Sequence, residues 1–101
     1  MEKYRHITDM ENILDSHSRK MQELNELLES LKSSKEDYDR LMEYYYSDRR
    51  NQDLEDDRNG LIDKNLKRGV LSEDAIYDLM SDNYQCCMKM LELAVDYLKR
   101  E

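Results

Sequence analysis

The sequence predicts an all-α fold, and three observations carry the prediction. Apolar residues recur in alternating steps of three and four along most of the chain. The 101 residues include no Pro and only two Gly, whereas an all-β domain needs turn residues about every ten positions. No turn-rich or low-complexity stretch interrupts the helical periodicity until the middle of the chain.

The first element is set by its seam. Ile7, Met10, Leu14, His17, Met21, Leu24, Leu28 and Leu31 form an a/d heptad row, the pattern of a helix that packs along one stripe. Tyr4 and Leu27 widen it, and the register continues through Lys35 to Tyr38, Met42 and Tyr45. Only Lys35 breaks the row, beside Ser33 and Ser34. The unbroken register favours one helix over about 3–47, roughly 65 Å long at 1.5 Å per residue. A kink near Ser33, with Ser34 capping a new start, is the alternative.

A connector follows over about 48–71. Ser47 is an N-cap ahead of acidic Asp48, which starts a short helix over about 48–58. That helix is expected to end with Gly60 in the left-handed conformation. Leu54, Leu61, Ile62 and Leu66 are its expected anchors to a core, and Gly69 marks a second turn that needs a special backbone angle. The last helix, over about 72–99, begins with Ser72 as cap and Glu73 and Asp74 at the positive end of the dipole. Leu71 and Ile76 stand at the staple positions. Its seam is Tyr77, Met80, Tyr84, Cys87, Leu91, Ala94 and Leu98. The expected architecture is a single domain over 1–101: an antiparallel hairpin of two long amphipathic helices, with the short connector helix, bundling with a second copy.

Charge excludes several functions. Lys and Arg number 16 and Asp and Glu 24, for a net charge of −8. Both halves are acidic, so the basic footprint of a nucleic-acid binder is missing. No apolar run reaches the length of a membrane span and the N-terminus has no signal-peptide core, so a cytoplasmic location is expected.

Residues 66–79 read LKRGVLSEDAIYDL. This stretch resembles the signature of a domain-of-unknown-function family of small, acidic, mostly Firmicutes proteins. The acidic segment 53–60 and the pair Tyr45–Tyr46 before Ser47 are similar to the segments that precede the signature in that family, so the resemblance covers most of the chain. Many relatives carry Pro where this chain has Asp63, and an aromatic residue where it has Leu54, which lowers the rigidity expected of the connector. The resemblance implies a shared turn-and-helix start. It implies no activity, substrate or catalytic residue.

The candidate site residues are those of the signature and of the tyrosine cluster. Lys67, Arg68, Asp74, Tyr77 and Asp78 form a polar surface that suits a protein partner, and Arg68 is placed to bridge to Asp74 or Asp78 and lock the turn. Tyr44, Tyr45 and Tyr46 cover about 300° of a helix, so at least one faces away from the core. Tyr45 and Tyr46 are the candidates for an interface, because tyrosine buries area yet keeps a polar tip.

Metal and catalytic motifs are weak. Asp74, Asp78 and Asp82 repeat at i, i+4, i+8, a repulsive row that suits a basic partner, a cation or simple solvation. Glu55, Asp57, Asn59, Gly60 and Ile62 match positions of a calcium loop, but Leu66 stands where the bidentate Glu belongs. Cys86 and Cys87 are adjacent, cannot pair with each other without strain, and are expected as buried or half-buried thiols. His17 in the seam is a register-setting residue. No cofactor motif and no nucleophile–base constellation is present, so an enzyme is not expected. The reading is a protein–protein interaction module that forms a dimer. A sensor or carrier of a cation or basic small ligand, and an immunity or antitoxin-like role, are the alternatives.

Overall fold

The computed structural model of the chain describes residues 2–99. Those residues form helices joined by turns and irregular segments and contain no strand. Helix α1 spans Arg5–Ser33, α2 Lys35–Tyr45, α3 Asp48–Arg58 and α4 Ala75–Leu98, with single 3-10 turns at Glu2–Tyr4 and Gly69–Leu71. The chain divides into two compact units, Met1–Met42 and Glu43–Glu101.

The first unit is long helix. Its heptad stripe stands on α1, and among the described residues none on α1 is buried. Ile13 is 59% exposed and Leu27 61%. The helix is interrupted at Ser34, where φ is −88° and ψ 0°. Yet the ladder runs through this point: the Ser34 amide donates to the Ser30 carbonyl at 3.0 Å, and the Tyr38 amide to the Ser34 carbonyl at 3.0 Å. The Ser34 hydroxyl donates to the Leu31 carbonyl at 3.1 Å. A serine that bonds back to the preceding turn perturbs a helix without ending it. The segment thus forms two helices, Arg5–Ser33 and Lys35–Tyr45, with the backbone ladder continuing across Ser34. After the break, Lys35 and Asp39 pair across one turn at 2.9 Å.

The second unit holds the connector. Ser47 has extended dihedrals and its side chain accepts from the Arg50 amide at 3.2 Å, which caps α3. At the other end the Gly60 amide donates to the Asp57 carbonyl at 3.1 Å and the Leu61 amide to the Asp56 carbonyl at 2.9 Å. This is the double bond of a Schellman cap, and it requires the φ of +71° that Gly60 adopts. Asp63 then makes a local turn, its side chain accepting from the Asn65 amide at 2.9 Å.

The signature forms the bend into α4. Leu71 and Ser72 donate their amides to the carbonyls of Arg68 and Gly69, at 2.9 and 3.1 Å. The Ser72 hydroxyl donates to the Gly69 carbonyl at 2.8 Å and accepts from the Ala75 amide at 3.2 Å. Ser72 thus accepts from the Ala75 amide, but it is not the N-cap residue: α4 begins at Ala75 with Asp74 at the cap position, and the Asp74 side chain makes no cap bond. The turn Gly69–Leu71 touches both α3 and α4. Ile76, in the first turn of α4, is 3% exposed and is the buried hydrophobic residue among those described.

Three expectations are corrected here. Gly69 does not take a left-handed angle; among the described residues that conformation belongs to Gly60. Leu61 and Leu66 are 72% and 60% exposed and so do not anchor the connector, a task left to half-buried Leu54, Ile62 and Leu71. Cys86 and Cys87 are free thiols, but both are exposed.

Candidate functional site

The tyrosine cluster and the signature lie some twenty residues apart in sequence, and within the second unit they converge on α3. Tyr44 and Tyr45 end α2, and α3 follows within three residues, so its first two turns lie beside them. The Tyr44 hydroxyl donates to Asp53 Oδ2 at 2.6 Å. Arg49 Nε lies 3.8 Å from the other oxygen of Asp53. Desolvation raises the Tyr44 pKa, the hydrogen bond to the Asp53 carboxylate and its charge raise it further, and Arg50 and Arg49 offset part of the effect.

Arg50 is the strap between α3 and the signature. Its Nε donates to the Val70 carbonyl at 3.2 Å and its Nη2 to the Ser72 carbonyl at 3.3 Å. The guanidinium lies over the Tyr45 ring, 4.8 Å from its centroid, a stacking arrangement that arginine favours. Tyr46 meets Tyr45 edge-on at 4.9 Å and 79°, and is itself 73% exposed.

Arg68 makes the second tie. It donates through Nη1 to Asp57 Oδ1 of α3. Its expected partners, Asp74 and Asp78, are therefore replaced by an acid eleven residues upstream. The reason is geometric: the bend at residues 68–72 turns Arg68 back toward α3, while Asp74, just before α4, and Asp78, in its first turn, are exposed. Among the described residues, none of the ion pairs involves Asp74, Asp78 or Asp82.

Between these ties lies an open cleft of about 280 Å³. Tyr44 and Asp53 form one side, Ile62, Leu66, Val70 and Leu71 supply apolar wall, and Lys67 and Arg68 stand at the rim. Tyr44 and Asp53 answer each other, and Arg68 answers Asp57, so Lys67 is the rim group that remains exposed toward solvent. Chemically this is an open, largely apolar recess whose exposed cation, among the described residues, is Lys67.

The predicted residues thus separate into two groups. Tyr45 and Arg68 are engaged inside the unit. Tyr46, Lys67, Asp74, Tyr77 and Asp78 are exposed, with Tyr77 at 61%. Arg50, Asp53 and Asp57 were not identified from the sequence as site residues. The available signal was the i, i+4 spacing of Asp53 and Asp57 on a helix whose apolar content is too low to hold it in place by burial. The calcium-loop pattern does not form a loop, because Glu55 and Asp57 lie inside α3. Among the described residues no three His, Cys, Asp or Glu side chains group as metal ligands. No described helix is long and apolar enough to cross a membrane.

Comparison with known proteins completes the description. No curated protein and no solved structure matches the chain. The model of the domain-of-unknown-function family DUF4298 matches residues 7–93. That span contains most of α1, all of α2, the connector, the signature and most of α4, and the chain therefore belongs to this family.

Proposed function

We propose that this chain is a small interaction module of the cytoplasm, acting by binding another protein rather than by catalysis, and that it assembles as a dimer. One observation carries the reading: among the described residues Ile76 alone is a buried hydrophobic, while large apolar side chains along α1 and α4 stay exposed. Surfaces of that extent mark contact sites, because apolar area left in water costs about 25 cal/mol per Å². In the assembled form a second copy covers apolar stripes of the long helices.

The surface offered to a different protein is the exposed part of the signature with the neighbouring tyrosine: Lys67, Asp74, Tyr77 and Asp78, together with Tyr46. The acidic row of α4 suits basic groups on that partner, and the recess beside Lys67 suits an apolar side chain. Arg68 and Tyr45 support this surface from within.

A capture experiment tests the reading. Wild-type protein and a Lys67→Ala/Tyr77→Ala variant serve as baits in lysate of the source organism, with helicity checked by circular dichroism. A protein held by the wild type and lost by the helical variant is the expected result. Equal capture by both baits removes the signature surface from the proposal.

A further inference from the structure

We propose that two copies of the chain pair antiparallel along α1, with the twofold axis passing near Arg19 and Lys20. The inference rests on the dimeric reading above and adds the face and the direction of the contact.

The area is sufficient. Nine Ile, Leu and Met side chains of α1 are between 39% and 61% exposed. Together they present on the order of 900 Å² per copy, against the roughly 800 Å² per partner of a standard specific interface. They lie on the a/d row and on one flanking g position, which is the width of stripe that a bundle helix buries.

The direction follows from the flank. Ile13 and Leu27 occupy g positions, whereas the remaining e and g positions of α1 hold His6, Glu11, Ser18, Lys20, Asn25 and Lys32. In a parallel, in-register pair a g residue faces the e residue five positions on in the second copy. Ile13 would then face Ser18, and Leu27 would face Lys32. In the antiparallel pair g faces g. With the full seam overlapped, Ile13 of each copy meets Leu27 of the other, and Ile7, Met10 and Leu14 meet Leu31, Leu28 and Leu24. A shift by one heptad in either direction loses a layer of the seam and sets Ile13 or Leu27 against a polar residue. The stripe is thus close to palindromic about residue 19, and only the antiparallel pairing covers both flanking apolar side chains. The opposing cost is Lys20 against its own copy at the axis, a contact at the solvent rim that ordinary salt screens.

The test uses the full chain in a Cys86→Ser/Cys87→Ser background, since both native thiols are exposed. Met10→Cys and Leu28→Cys variants are oxidised mildly, each alone and then as an exchanged equimolar mixture. The antiparallel pair predicts at least about tenfold more cross-linked dimer in the mixture than in either variant alone, because thiols join only when their Cα atoms come within about 7 Å. Efficient self-cross-linking of each variant would show a parallel pair and overturn the direction. A dimer in solution that cross-links in none of the three samples would overturn the face while leaving the dimeric reading intact. A monomer at every concentration would remove both. As a second arm, Leu14→Asp weakens the dimer by roughly 100-fold or more, since the substitution enters the contact twice by symmetry; unchanged dimerisation of that variant, with helicity retained, would likewise overturn the face.

Discussion

The tie between Arg68 and Asp57 joins the signature to α3, and its removal separates a structural role for Arg68 from a binding one. The two side chains are 37% and 28% exposed. A hydrogen bond between charged groups contributes about 1.5–3 kcal/mol when desolvated, and exposed pairs about 0.2–1 kcal/mol. With about a third of each side chain in water, the coupling should be about 1 kcal/mol. Arg68→Ala also strips the aliphatic stem from the rim of the cleft, so the single variant loses somewhat more, about 1–2 kcal/mol. For a domain of this size each kcal/mol lowers the melting temperature by about 4–8 °C. The assay is a double-mutant cycle in urea with Arg68→Ala, Asp57→Ala and the pair, each followed by circular dichroism. Because the substitutions act on one bond, the double variant should lose about 1 kcal/mol less than the sum of the singles. A coupling indistinguishable from zero would refute the tie, and a wild-type melt for Arg68→Ala would return that residue to the binding surface.

Three further outcomes follow from the same geometry. Ser47→Ala removes the side-chain acceptor for the Arg50 amide and should destabilise the second unit by about 1 kcal/mol, measured as a lower urea midpoint; a Ser47→Asp variant should restore it. Gly60→Ala places a Cβ at a φ of +71° and should cost about 1 kcal/mol, whereas Gly69→Ala meets open space without a left-handed angle and should leave the midpoint unchanged or raise it. The Tyr44 pKa is raised above the ordinary 10.0 by burial and by its bond to Asp53. Its stabilising share is therefore present below the ordinary tyrosine range and is lost as pH rises through the higher folded value. An ultraviolet titration of tyrosinate should show one late-ionising tyrosine that disappears in Tyr44→Phe, and its persistence there would exclude Tyr44 as the source.

Much of the secondary structure was legible in local chemistry. Ser47 followed by Asp48, and Gly60 after a polar helix, gave α3 its bounds at 48 and 58, because caps act within a few residues. Periodicity marked helix along the first half and over α4, but the single helix it favoured over about 3–47 is divided at Ser34 into α1 and α2. The tertiary ties were not legible. Arg68 had acids on both sides in sequence, and the choice of Asp57 over Asp74 depends on the direction of the bend at residues 68–72, a backbone property that residue types alone leave open. Gly69 shows the converse. A glycine between two elements reads as a left-handed turn, yet the 3-10 turn at Gly69–Leu71 needs no such angle.

The signature and the tyrosine cluster stood out in the sequence as separate segments, and what joins them was not legible: Arg50, which lies over Tyr45 and donates to the Val70 and Ser72 carbonyls, carried no motif. Exposure was the property least visible in the sequence. Leu61, Leu66 and the two cysteines read as core by type, and they stand in water in this chain. A stripe pattern states which residues share a face; it does not state what covers that face.

Sedimentation equilibrium of the full chain, run over a wide range of concentration, tests the central claim most directly. The account predicts a species of twice the 12.3 kDa chain mass that dissociates on dilution, with Leu14→Asp shifted toward monomer. A chain that sediments as a single 12.3 kDa species at every concentration would contradict it, and the exposed stripe of α1 would then need another explanation.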